Sequence, residues 1–177
     1  METNAAGRTR VLVEMGMMIA LAFVLGQIKL YQAPFGGSIS LEMIPILAVA
    51  FRRGAKVGAA TGLLYGMVNL FVDGMRYIVH PVQLLLDYPV PFMLVGLAGL
   101  ARQRPVWGTV GAGMLRWCSH VVSGVVFFGA YAPEGMSPLV YSLVYNSAYM
   151  LPEIAISALV IWYLAVRTDV LPGRRVP

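Results

Sequence analysis

Asp87 stands in the stretch QLLLDYPVPF, inside a hydrophobic run from about Pro81 to Ala101. At ~1.5 Å per residue such a run covers the ~30 Å hydrocarbon core of a bilayer. A carboxylate that deep costs at least ~2.5 kcal/mol on insertion scales, so it must face a bundle interior or a wet cavity and find a partner. Tyr88 adds an aromatic face with a polar tip, while Pro89 and Pro91 take backbone donors out of the helix ladder. Asp87 is therefore the first candidate for a ligand contact, against the alternative that it only ties two helices together.

Other polar groups sit in apolar surroundings. Arg116 and His120 are four apart and share a helix face with Ser119 and Ser123, and a later apolar run holds Tyr141, Asn146, Tyr149 and Glu153. Arg116 and Glu153 are expected to pair with each other, which leaves Asp87 and Glu42 without a permanent cation. That residual negative charge argues for a cationic ligand. A hydrogen bond from His120 to Asp87 is the competing structural expectation.

The elements that hold these groups are read from hydropathy and breakers. The 177 residues are 59% hydrophobic and 12% charged, with a mean hydropathy of +0.75. That composition describes a polytopic membrane protein. Six helices are expected, at about 11–31, 39–51, 57–72, 81–101, 107–128 and 139–166, in a single all-α integral membrane domain spanning 1–177. The second is too short to cross without its flanks. Gln32 to Ser40, with Pro34, Gly36 and Gly37, has the chemistry of a loop placed to act as a lid. The run after Arg8 and Arg10 has no small-residue cleavage site, which fits a retained first helix better than a signal peptide.

The net charge of +5 belongs to short clusters between spans, so it points to topology and not to nucleic acid. Arg8, Arg10, Arg52, Arg53, Lys56, Arg102, Arg104, Arg167, Arg174 and Arg175 fall on one side, and Lys29 and Arg76 on the other. By the positive-inside rule both termini are cytosolic. Asp87, His120 and Asn146 then lie roughly 9 to 12 Å below the outer surface, with Glu42 and Tyr141 shallower and Tyr77 in the loop above. Such a pocket opens outward.

The single cysteine, Cys118, permits no internal disulfide, and no metal, redox or catalytic motif is present. No cofactor is expected. Nor is there a nucleotide-binding motif or a matched pair of broken helices, so a pocket without its own engine suggests a subunit that hands a solute to another machine. Gly16 and Ala20 lie one turn apart on helix one, a spacing that lets another helix approach closely. An intramembrane hydrolase using Ser119 or Ser123 beside His120 is the reading from a different class.

The stretches LVEMGMMIALAFVLG, SLEMIPILAVAFRRGAKVG, YIVHPVQLLLDY, RWCSHVVSGVVFF and YAPEGMSPLVYSLVYN together resemble the thiamine-specific substrate-binding subunits, or S-components, of energy-coupling factor transporters. The resemblance covers nearly the whole chain. It implies a six-helix bundle in the cell membrane that captures a vitamin from outside and works with a transmembrane coupling subunit and two cytosolic ATPases. It places Asp87 near the thiazolium, followed by Tyr88, and puts His120, Tyr141, Asn146 and Tyr77 at binding positions. Glu42 matches the acid that opens helix two, and Gly16 and Ala20 match a motif that docks the coupling subunit. The chain departs from the pattern in having Asp87 where Glu is usual, and Ser38 and Phe128 where tryptophans are expected. A pocket resized for another vitamin or a thiamine precursor is the alternative those departures raise.

Overall fold

Among the residues that the computed structural model describes (2–34, 36–73, 75, 78–168 and 171, with side chains from residue 5 onward) the chain is a bundle of helices capped by one small hairpin. α1 (Glu2–Gln27) leads into β1 (Tyr31–Gln32) and β2 (Ser38–Ile39). Then come α2 (Met43–Arg53), α3 (Ala55–Val72), α4 (Pro81–Asp87), α5 (Pro89–Gly96), a 3-10 segment (Leu97–Ala101), α6 (Pro105–Phe127), a 3-10 turn (Gly129–Tyr131) and α7 (Pro138–Arg167). Arg76, Tyr77, Arg174 and Arg175 lie outside the described residues.

Among the described residues five segments are long and apolar enough to cross a bilayer: Ala5–Gln27, Ala55–Val72, Pro81–Ala101, Pro105–Phe127 and Pro138–Arg167. α2 is not among them, since its 11 residues rise only about 16 Å. It is wrapped by its neighbours instead: Met43, Pro45 and every residue from Ile46 to Phe51 are buried, and α1, α3, α5 and α7 all touch it. Pro45 falls in the first turn, where a missing N–H costs no intrahelical bond. At the other end Arg102 donates to the carbonyls of Phe51 (2.8 Å) and Arg52 (2.5 Å), so a cation satisfies the orphan acceptors of the helix C-terminus.

Two expected boundaries move for one reason. The first helix stops at Gln27 and not near Tyr31, and the second starts at Met43 and not at Ile39, because Tyr31 pairs with Ile39 and Gln32 with Ser38 in an antiparallel ladder. Leu30 N–H donates to Ile39 (2.9 Å) and Ala33 N–H to Gly37 (2.6 Å), with Gly36 at φ 105° closing the turn. The loop expected there is thus a structured hairpin. The expected fourth helix is also divided. Pro89 has no N–H and disfavours helical geometry in the residue before it, and Tyr88 accordingly sits at φ −122°, ψ −81° between α4 and α5. The predicted spans at 57–72, 107–128 and 139–166 differ from α3, α6 and α7 by no more than two residues at either end.

Packing follows the small residues. Gly58, Gly62 and Gly66 recur every four positions along α3 and face α5, so the two backbones touch. A β-carbon at Gly62 would lie 2.6 Å from the Phe92 carbonyl carbon, one at Gly58 2.6 Å from the Gly96 oxygen, and one at Gly66 2.6 Å from the Tyr88 oxygen. On α1 the buried side carries Met15, Ala22 and Gly26, while Gly16 and Ala20 are exposed. Glu14 lies midway along α1, which starts at Glu2 and not near residue 11 as expected. It pairs with Arg52 (2.8 Å) and Arg53 (2.6 Å), stapling α1 to the end of α2.

Candidate functional site

One cavity of about 110 Å³ runs inward beneath the hairpin. That is several times the ~10–15 Å³ that admits a single water, so the space suits an organic ligand. Its lining draws on α1 (Gly26), the hairpin (Gln32, Gly37, Ser38), the α4/α5 break (Asp87, Tyr88, Phe92), α6 (Arg116, His120, Phe128) and α7 (Tyr141, Asn146, Tyr149).

The wall at the break is polar. Asp87 accepts a 2.7 Å hydrogen bond from Gln83 Nε2, and its other oxygen lies 3.4 Å from His120 Nδ1. Gln83 is buried and is itself oriented by accepting from the Val79 N–H (3.2 Å). Among the described residues Asp87 pairs with no lysine or arginine. The contact with His120 expected as the competing reading therefore forms, and it leaves Asp87 without a permanent cation. His120 Nε2 is buried and has no hydrogen-bond partner among the described residues.

α7 supplies an aromatic and amide face. Tyr141, Tyr145 and Tyr149 are one turn apart, with ring centroids 5.9 and 5.8 Å from one to the next, and Tyr149 lies edge-on to His120 at 6.3 Å. The Tyr149 hydroxyl donates to Asn146 Oδ1 (2.6 Å), while Asn146 Nδ2 donates to the Ser142 carbonyl (2.8 Å). Gly37 of the hairpin rests against the Tyr149 ring, 2.6 Å from its Cδ1 to the position of a β-carbon, and Ala33 is buried beside Tyr149, Met150 and Ile154.

Glu42 requires a correction. The sequence reading pairs Arg116 with Glu153 and leaves Glu42 free, but Arg116 reaches both: Nη1 to Glu153 Oε1 at 3.2 Å and Nη2 to Glu42 Oε1 at 3.1 Å. The cause is position. Glu42 sits at the buried N-cap of α2, directly across from α6, and not near the surface. Its second oxygen accepts from the Tyr65 hydroxyl at 2.5 Å, and the guanidinium lies 4.4 Å above the Phe92 ring, a favourable cation–π geometry.

Of the residues singled out from sequence, the fold brings Asp87, Tyr88, His120, Asn146, Tyr141 and Glu42 to one cavity, and Tyr77 lies outside the described residues. Gly16 and Ala20 are elsewhere, exposed on α1, with open space around Gly16. Ser119 donates to the Leu86 carbonyl (2.7 Å), so its hydroxyl is committed to the backbone and not to His120. Sequence reasoning missed Gln83, Tyr145 and Tyr149 as site residues, along with Lys29 and Asp73, which pair at 3.3 Å on the cavity lining. The first three were accessible from spacing, since Gln83 precedes Asp87 by four and the tyrosines recur every four. No cluster of three or more His, Cys, Asp or Glu suited to a metal is present among the described residues.

Comparison with known proteins places this geometry in company. The sequence profile of the thiamine transporter protein family (Thia_YuaJ) matches residues 12–171. The thiamine transporter ThiT of Bacillus subtilis (strain 168) is 40% identical over 171 residues, covering 86% of this chain and 88% of that protein. ThiT of Lacticaseibacillus paracasei is 31% identical over 172 residues, covering 87% and 86%. The solved structure of ThiT from Listeria monocytogenes superposes with a TM-score of 0.79 at 31% identity, over 89% of this chain and 94% of that one.

Proposed function

The chain belongs to the thiamine transporter protein family, a family of multi-pass membrane transport proteins and not of enzymes, and from that premise we propose that it is the thiamine-binding S-component of an energy-coupling factor importer. It has six spans with both termini in the cytosol, sits in the cell membrane, binds thiamine from outside and delivers it to a transmembrane coupling subunit driven by two cytosolic ATPases. α2 counts as the sixth span because the bundle, not lipid, surrounds it.

The observation that carries this reading is Asp87, a carboxylate on a cavity wall with no lysine or arginine partner among the described residues. A thiazolium is a permanent cation with no proton on its nitrogen, so it is held by charge and aromatic faces more than by hydrogen bonds. The tyrosines of α7 and His120 offer such faces beside Asp87. An aminopyrimidine needs donors and acceptors, which Asn146, Tyr141 and the unpartnered His120 Nε2 supply. Gly16 and Ala20 face away from the bundle on α1, as a docking surface for the coupling subunit requires.

A second reading rests on Ser38 and Phe128, which line the cavity where the resemblance leads one to expect indoles. Smaller side chains there suit a related pyrimidine or thiazole compound. Tryptophan-fluorescence or calorimetric titration of the purified protein with thiamine, its two separate rings and other vitamins decides between them. Tightest binding of thiamine upholds the proposal, and preference for one ring or another vitamin replaces it with the second reading.

A further inference from the structure

Arg116 carries one positive charge and touches two carboxylates, but only one of those carboxylates belongs to the cavity. Glu42 and Arg116 line its floor, whereas Glu153 is fully buried behind Arg116 on α7. Glu153 Oε1 takes the Arg116 contact (3.2 Å) and a long hydrogen bond from Ser40 (3.5 Å), and its Oε2 has no hydrogen-bond partner among the described residues. Arg116 Nε, also buried, has none either. The other neighbours of this cluster, the Tyr65 hydroxyl and the Phe92 ring, are uncharged.

A guanidinium and Glu42 alone would make a neutral floor. With Glu153 ionised and drawing on the same guanidinium, the three groups carry one negative charge in excess. In a medium drier than water that charge is felt across the cavity. We propose that Glu153, which never touches the ligand, is a specificity-determining residue: it shares Arg116 with Glu42, so that one guanidinium does not neutralise both carboxylates and the pocket keeps a second anionic point, at Glu42, besides Asp87. The cavity then selects organic cations over uncharged molecules of the same shape. This rests on the reading of the cavity as a thiamine site.

The test measures binding of thiamine and of its uncharged half, 4-amino-5-hydroxymethyl-2-methylpyrimidine, to the purified protein and two variants. Binding of thiamine to the unaltered protein tests the functional reading separately. In Glu153→Gln the floor becomes neutral, and thiamine weakens on the order of tenfold while the pyrimidine changes less than about threefold. The double variant Arg116→Gln with Glu153→Gln returns the floor to one negative charge, and it recovers the preference for the cation although both side chains of the pair are lost. If Glu153→Gln does not fold, Glu153→Met, which leaves the same neutral Glu42–Arg116 floor without a buried amide, carries the same comparison. Equal weakening of both ligands, unchanged binding of both, or a double variant with no preference for thiamine overturns the proposal.

Discussion

The Tyr65 hydroxyl on α3 donates a 2.5 Å hydrogen bond to Glu42 Oε2 at the head of α2, in the buried floor of the cavity. Gly26 of α1 leaves room for both groups, since a β-carbon there would lie 2.8 Å from each. Removing the hydroxyl leaves a carboxylate oxygen dry and unpaired. Tyr65→Phe should therefore lose about 1–3 kcal/mol of stability, with weaker vitamin binding as Glu42 shifts. Thermal unfolding in detergent and a thiamine titration check both, and an unaltered unfolding midpoint would show that water replaces the hydroxyl.

Asp87→Asn keeps nearly the same shape and removes the charge. Thiamine should weaken by at least about tenfold, and the uncharged pyrimidine half by much less, since an amide still bonds to Gln83 and His120. Calorimetry with both ligands reads the ratio. Equal losses would mean that Asp87 orders the wall without sensing the cation.

Gly16→Trp and Ala20→Trp enlarge an exposed face of α1 that nothing in the bundle covers. Each should bind vitamin as the unaltered protein does and fail to support ATP-dependent uptake with the partner subunits. Binding and uptake measured on one preparation separate docking from folding. A parallel loss of both would sink the docking role.

Gly62→Ala drives a methyl group into the Phe92 carbonyl, and backbone cannot turn aside as a long side chain can. The change should cost at least about 1–3 kcal/mol by overpacking. Gly111→Ala on α6 meets nothing within 4 Å and is the matched control. There the helix should gain up to about 1 kcal/mol from alanine's better propensity. Equal unfolding midpoints for the two variants would show that α3 and α5 separate freely.

Much of this was legible in the chain, for physical reasons that also mark where reading stops. Long apolar runs, and Pro89 placed one residue after Tyr88, announce both the spans and the weakness between α4 and α5. Asp87 announces itself by being costly in an apolar segment. The hairpin is different, because two-residue strands are too short to show alternation, and the pairing of Tyr31 with Ile39 belongs to the fold and not to either segment. The partners of Arg116 were half legible. Glu153 was expected as the partner, but Glu42 is 74 positions away in sequence, and only the burial of α2 in the middle of the bundle brings it across.

The glycine seam between α3 and α5 also bears on how such a pocket can change over generations. Tyr88 and Phe92 are held in place by backbone lying on backbone, so there is no intervening side chain whose replacement could shift that wall by a fraction of an ångström. Descendants that acquire a taste for a different solute have latitude only where side chains project into open space: at Ser38 and Gln32 of the hairpin, at Phe128, and along Tyr141 and Tyr145. One wall is inherited as a fixed scaffold, and the other is free to drift.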